Sequence, residues 1–513
     1  MGLCQRLKKL LYISALALAS FFDKQPALLY GLFVYSGIVY ALLHSLMTLF
    51  PALFILFFAI QSGCSIFNRR IVLSSILLLF SCIYTSQTIV EPPATFTEIP
   101  GLARLTVSTI RTDIRYGRTF YRLDGEIASF VPDCGGFVAS NIPCMFVWHQ
   151  KNTRPRAEHM YEVRGVLRRQ ELGYSFKPDL DSPWEMRDSC FSLAELRYSL
   201  KAKARCFFAE YIPPGTVRSF LEGVCFGEFH DMHLKACLKR FGLQHIVVVS
   251  GFHFALLVAI CLALFRLVLS LRYSQCAAAC VATLFFLFIG PTASVYRAYI
   301  AALCALGAAL SEKRTSGMNA LGLGLILVSL SSPTSCLTPG FTLSFLATWA
   351  ILLLQPLCKR FIFSLVPAYA GGQIAYGTIL EQAVFTMSTC ILSALSLVCA
   401  VTCLMLPTTL YVFNSFPLLG LVYNIFFPFG ISVALFFVIL GMLFFWLPPV
   451  CSVFLALGSG ICDWMLTPVM HAPTGLDIVL FCEWIPLWAL LLYLCLFSLF
   501  VIVYEQEHKS RLC

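Results

Sequence analysis

A series of long apolar blocks constrains this chain more than any other feature. Most run for roughly 18–28 residues with few or no charges, enough as a helix to cross a hydrocarbon core about 30 Å thick. Twelve such blocks fall near 27–47, 51–67, 71–90, 243–268, 276–291, 293–311, 318–332, 339–357, 383–406, 417–446, 450–469 and 479–504. In hydrocarbon the backbone must satisfy its own hydrogen bonds, so each block is expected to be helical. Composition agrees: 59% of the 513 residues are hydrophobic and 12% charged, where a soluble chain is nearer a quarter charged. The expected fold class is an α-helical polytopic membrane protein of about twelve spans with one small all-β domain. An earlier apolar run, 10–22, follows Arg6, Lys8 and Lys9; it is too short to span and is expected at the membrane interface.

The basic residues give an independent test of this layout. If the N-terminus is cytoplasmic, alternate short loops should be rich in Lys and Arg. Those loops hold Arg69 and Arg70, Arg266 and Arg272, Lys313 and Arg314, and Lys359 and Arg360, and the tail holds Lys509 and Arg511. The opposite loops, near Pro51, Pro291, 333–339, 407–417 and 470–478, carry no Lys or Arg. Both termini are therefore expected in the cytoplasm, and the polar stretch after the third block on the outer face. The net charge of +10 is largely spent on orientation and says little about ligands.

The polar stretch reads as β structure. The run 103–110 alternates and is rich in β-branched residues, and 120–130 and 160–167 are similar, with Gly, Pro, Asn and Asp between them. Short strands at this spacing predict a small barrel. Beyond it, 192–229 turns helical and amphipathic. Leu196, Leu200, Phe207, Phe208 and Tyr211 can share one side of a helix that lies either on the membrane or against the barrel. The division expected is membrane helices over 1–90, the β domain over 91–191, a connector over 192–232, a membrane domain over 233–504 and a tail over 505–513.

Polar residues inside apolar spans need a reason. The densest cluster is LQHIVVVSGFHFALL (243–257), with His245, Ser250, Gly251 and His253. On a continuous helix His245 and His253, eight apart, lie about two turns from each other on similar faces, Ser250 and His253 are neighbours, and Gly251 lets backbones approach or the helix break. Arg297 stands in the apolar segment 293–310, where it either snorkels to the interface or faces an aqueous cavity. Thr342, Ser344, Thr348, Asn414, Asn424, Pro428 and Asp463 are weaker candidates.

Other chemistries lack their signatures. There is no phosphate-binding loop and no GxGxxG after a strand, and His230 with His233 is half a metal site at most. No cofactor and no metal are expected. Most of the 23 cysteines lie in apolar runs; Cys134 and Cys144, both in the polar stretch, are a candidate disulfide.

These residues resemble a known family. The run 243–257 is similar to the signature of the ComEC competence proteins, and PTASVYRAYIAAL (291–303) and PGFTLSFLATWAILL (339–353) are similar to two further family blocks in the same order. The resemblance covers nearly the whole chain. It implies that the barrel is an OB-like domain and that the protein is an inner-membrane channel passing single-stranded DNA into the cytoplasm during natural competence. The residues it carries over are His245, Ser250, Gly251, His253, Arg297, Ala298, Leu343, Ser344, Phe345 and Ala347, with Asn424 in the later membrane segment. On the OB-like domain, Tyr121, Arg122, Trp148 and Arg164 are candidate DNA contacts, since such folds stack bases on aromatics beside cations.

The family's frequent metallo-β-lactamase-like domain has no counterpart here, because no HxHxDH cluster occurs. The chain is therefore expected not to be an enzyme, with strand degradation left to another protein. The partners implied are single-stranded DNA, a periplasmic or surface DNA receptor, a cytoplasmic helicase or strand-binding protein, membrane lipids and further copies of the chain. Two rival readings remain at this stage: a small-molecule or lipid transporter, and an intramembrane serine hydrolase using Ser250.

Overall fold

The computed structural model describes residues 3–512 except 91, 93–96, 116–117, 136–137, 149–154, 171–172, 180–183, 187–191, 228, 230, 247–250, 315, 367–377, 474, 476–477 and 483. The description does not extend to the side chains of 3, 4, 6, 7, 109–122, 147, 148, 170, 173 and 509–512. The chain is mostly helical, with a small β-barrel between two sets of apolar helices.

Among the described residues nine helices are long and apolar enough to cross a membrane. Four come before residue 311: α2 (Pro26–Leu43), α4 (Ser65–Thr88), α9 (Leu271–Ile289) and α10 (Ala293–Leu310). The other five are α12 (Pro339–Ser364), α13 (Ile379–Phe413), α14 (Gly420–Leu443), α15 (Pro448–Met470) and α16 (Leu487–Leu512). Length and hydropathy make this a multi-pass membrane protein. The other three expected spans hold shorter apolar helices: α3 (Phe50–Ser62), α8 (Gly251–Phe265) and α11 (Gly317–Ser331). At 15 residues, α8 and α11 each rise only about 22 Å.

The bundle packs on close backbone contacts. A Cβ on Gly31 of α2 would lie 2.7 Å from the Gly322 carbonyl of α11, and one on Gly37 would lie 2.4 Å from the Leu78 carbonyl of α4. Small residues at a helix crossing allow this approach, which gives lipid-embedded helices the dispersion contacts they otherwise lack. The first apolar run is longer than expected. It forms α1 (Leu3–Lys24), and Ala15, Leu18, Ala19 and Phe22 are buried in the bundle core, although Leu10 and Tyr12 stay exposed.

The basic loops gather at one end of this bundle. Arg70 pairs with Asp23 at 3.0 Å. Asn319, at the start of α11, bonds the Lys24 carbonyl and accepts from the Ala27 amide. Arg272 reaches Glu312 at 3.3 Å, and Arg360 pairs with Glu505. The barrel joins the other end, where Asn141 donates to the Thr88 carbonyl at 2.8 Å and Val90 bridges Ser140.

The barrel strands are β1 (Glu98–Arg115), β2 (Arg118–Pro132), β3 (Ala139–Trp148), β4 (Met160–Gln170), β5 (Gly173–Pro178) and the short β6 (Glu185–Met186). Their order is β1-β2-β3-β5-β4, and β1 pairs again with β4 to close five strands into a barrel; β6 lies on β4. The β3–β5 pair is parallel and the others antiparallel. A five-stranded barrel of this kind is consistent with an OB-like domain. Irregularities in β1 at Arg104/Leu105 and Val107/Thr109 let so long a strand bend across both neighbours. Ala103, Leu105, Val107, Leu123, Ile127 and Phe146 fill the interior.

The cysteine pair differs from expectation, since Cys134 and Cys144 are both free thiols. Cys134 is exposed beyond the end of β2, while Cys144 lies five residues further along β3 than Ala139, the last residue paired with that end of β2. Burial also pushes the Cys144 thiol up, which suppresses the thiolate that exchange requires.

The connector α5 (Leu193–Tyr211) contacts both regions. Ser192 caps it by accepting from the Glu195 amide, and the Ser192 hydroxyl donates to the Ala157 carbonyl at 2.7 Å. Farther along, Arg197 and Lys201 donate to the Leu287 and Ile289 carbonyls at 2.8 and 3.3 Å, filling acceptors that the end of α9 leaves open. The buried side is therefore Ala194, Lys201 and Phe208, while Leu196 and Leu200 of the expected apolar face are exposed.

Candidate functional site

The local sequence explains how α10 and α12 present their polar groups. Thr338 caps α12 by accepting from the Phe341 amide at 3.3 Å, and Pro339 supplies the fixed backbone angle favoured in a first turn. Ser344 and Thr348 follow one turn apart, so their hydroxyls project from the same side of α12. On α10, Arg297 lies about one turn in from the first residue, Ala293.

These three residues meet. The Arg297 guanidinium donates through Nε to the Ser344 hydroxyl at 3.0 Å and through Nη1 to the Thr348 hydroxyl. Thr348 in turn donates to the Ser344 carbonyl at 3.0 Å. Both partners are neutral, and among the described residues no carboxylate pairs with Arg297. The residue as a whole is largely buried. A guanidinium has five N–H donors, and the two hydroxyls use only some of them.

Two glycines leave room for this group. A Cβ on Gly251 would lie 2.6 Å from Arg297 Nη2 and 3.4 Å from the Ala298 Cβ. A Cβ on Gly324 of α11 would lie 3.7 Å from Arg297 Cγ. Arg297 thus sits among α8, α10, α11 and α12, with glycine where two of those helices pass it. The three blocks that carry the family resemblance meet here, through Gly251, Arg297 and Ser344.

The other expected residues are elsewhere. His245 lies in the turn before α8, exposed, with Nδ1 3.1 Å from the Gly242 carbonyl; it does not share a helix with His253 as expected. Gly242 has a positive φ of 66° and packs against Pro417 and Gly420, which fixes this turn against the start of α14. His253, on α8, is buried at 5% exposure beside the buried Phe254. Asn424 lies on α14, its Oδ1 buried with no hydrogen bond. Ser250 lies outside the described residues, as do the side chains of Tyr121, Arg122 and Trp148. Arg164 is exposed on β4 and pairs with Asp133 at 3.7 Å.

Two cavities, of about 820 and 510 Å³, open at opposite ends of the bundle, and neither is lined by Arg297 or His253. Among the described residues, no group of three His, Cys, Asp or Glu side chains is placed to hold a metal ion. Thr348 and Gly324 belong to the Arg297 cluster, yet the sequence marks Thr348 only weakly and Gly324 not at all. The available signal for Thr348 is its i, i+4 spacing from Ser344.

Comparison with known proteins identifies the family. A family model described as Competence protein matches residues 227–507, more than half of the 513-residue chain, and spans every residue of the cluster. No curated protein matches, and no solved structure matches. From the family match and the membrane helices together, the chain belongs to the competence protein family.

Proposed function

We propose that this membrane protein is the channel through which one strand of transforming DNA crosses the inner membrane. In this reading the chain crosses twelve times, with α3, α8 and α11 completing the nine longer spans, and both termini are cytoplasmic. The barrel is an OB-like domain on the outer face, where a surface or periplasmic receptor delivers DNA. A cytoplasmic helicase or strand-binding protein supplies the pull, because the sequence holds no nucleotide-binding loop.

One observation carries the proposal: Arg297 keeps its charge inside an apolar bundle with hydroxyls, not a carboxylate, as its partners. A cation paired with an acid in low dielectric is spent on that acid, whereas one held by neutral groups keeps its field for an anion that passes. A phosphodiester strand is such an anion. One cation attracts it without trapping it, as transport requires release as well as entry. The gathering of basic loops at one end of the bundle supports the proposed orientation.

The test is uptake of labelled DNA past the inner membrane in a transformable strain lacking the chromosomal copy. Complementation by the wild-type chain should restore uptake, and the Arg297→Ala variant should not, at equal abundance in the membrane. Normal uptake in the strain without any copy would refute the channel assignment. Normal uptake by the variant would remove Arg297 from the path.

A further inference from the structure

The cavity of about 820 Å³ at the basic end of the bundle opens among α1, α11, α12 and α16. Much of its wall is apolar, formed by Phe21, Met318, Leu352, Leu353 and Ile502, with Gln25 and Gln506 among them. Its rim is cationic, with Lys24, Lys359 and Arg360. The one acid on the rim, Glu505, is already paired with Arg360. The Lys24 and Lys359 side chains are exposed, and among the described residues neither pairs with a carboxylate. Lys359 instead lies 5.5 Å from the centre of the Phe363 ring, which bounds the same cavity.

We propose that this cavity binds one anionic phospholipid, its headgroup phosphate between Lys24 and Lys359 and an acyl chain along Phe21, Met318 and Leu352. Two features combine to favour a lipid. The unpaired lysines attract an anion, and the apolar part of the wall below them favours apolar atoms in place of water. A phospholipid supplies both in one molecule, whereas inorganic phosphate or a nucleic acid strand would leave the walls wet. The depth also fits. Lys359 and Arg360 stand about one turn from the end of α12, and Lys24 is the last residue of α1, the level at which lysines reach lipid headgroups. The volume lies within the range of ordinary small-molecule sites, enough for a headgroup and part of a chain. A lipid there would tie α1 to α12 and α16. This inference does not depend on DNA passage.

The experiment uses the full-length chain, purified in detergent and delipidated, with dioleoylphosphatidylglycerol or dioleoylphosphatidylcholine added and retention read by native mass spectrometry. One phosphatidylglycerol should be retained in preference to phosphatidylcholine. Lys24→Gln and Lys359→Gln should each weaken that retention about fivefold, and the double variant by both factors. These side chains are exposed, so the variants keep the fold. Leu352→Trp should abolish retention with the lysines intact, because it fills the space for the chain. Equal retention of the two lipids, or a double variant that binds like wild type, would overturn the proposal. Displacement of the lipid by glycerol phosphate or a short oligothymidylate at concentrations like its own would overturn it in favour of a free phosphate or a nucleic acid.

Discussion

On the barrel, Arg104 faces Glu162 at 3.8 Å, Arg168 faces Glu98 at 3.1 Å and Arg164 faces Asp133 at 3.7 Å. In the bundle, Arg297 faces two hydroxyls. The first two barrel pairs stand directly across the β1–β4 ladder, where opposite charges stabilise the pairing of strands. Those cations serve the fold and are screened by water. The bundle cation is far costlier to keep, since the surrounding helices are apolar and among the described residues no acid offsets it. Charge in this protein is thus plentiful where it is weak and sparse where it is strong, and a passing polyanion should feel the bundle far more than the barrel.

The sharpest way to break that contrast is Arg297→Ala. DNA uptake should fall about tenfold or more, the scale on which a focused charge changes the local concentration of its counter-ion. Arg297→Lys should recover part of it, because the charge returns without the planar fork that reaches both Ser344 and Thr348. An equal loss for both variants would mean that geometry, not charge, is what matters.

Next in size are the partners. Ser344→Ala and Thr348→Ala each remove a hydrogen bond to a charged group, a loss of about 1.5–3 kcal/mol. Thermal unfolding of the purified protein should show each loss. The double variant should cost less than the sum of the two, because both hydroxyls serve one guanidinium. Full additivity would mean that the two bonds act independently. Gly251→Ala should reduce uptake less than Arg297→Ala does, since the new Cβ at 2.6 Å from Nη2 displaces the far end of a flexible side chain. Gly460→Ala, on α15 with nothing within 4 Å, is the matched control and should leave uptake unchanged.

Much of this contrast is legible in the amino-acid sequence. Apolar length alone locates the helices, because hydrocarbon leaves a backbone few alternatives, and alternation locates β1, β2 and β4. Arg297 is legible because a cation is conspicuous in an apolar run. Its neighbours are not. That Gly251 of α8 approaches Arg297 of α10, and that Thr348 joins Ser344, depends on how three helices cross, which spacing within one helix cannot show. The histidines depart from expectation for a related reason. Eight residues place His245 and His253 on similar faces only if one helix carries both, and the turn at 241–246, held by Gly242 against Pro417, breaks that condition. On α5, Leu196 and Leu200 stay exposed, as on a helix that faces the membrane, while open carbonyls at the end of α9 hold Arg197 and Lys201, a contact that spacing within one helix cannot show.

The smallest effect belongs to the barrel and tests the other half of the comparison. Arg164 and Asp133 are both exposed, and an exposed pair contributes about 0–1 kcal/mol after solvent screening and side-chain entropy. Arg164→Ala should therefore leave the thermal stability of the protein almost unchanged. It should also leave uptake at the wild-type rate, because removing a cation already matched by an acid barely changes the field that DNA meets. Single-strand binding by the protein should be weak, and its remaining salt dependence should be the same in the variant as in wild type. A clear drop in uptake, or a shallower salt slope, would show that Arg164 leaves Asp133 for a phosphate when DNA arrives. The barrel's paired cations would then be a reserve that DNA recruits, and the division of labour between the two regions would fail at that residue.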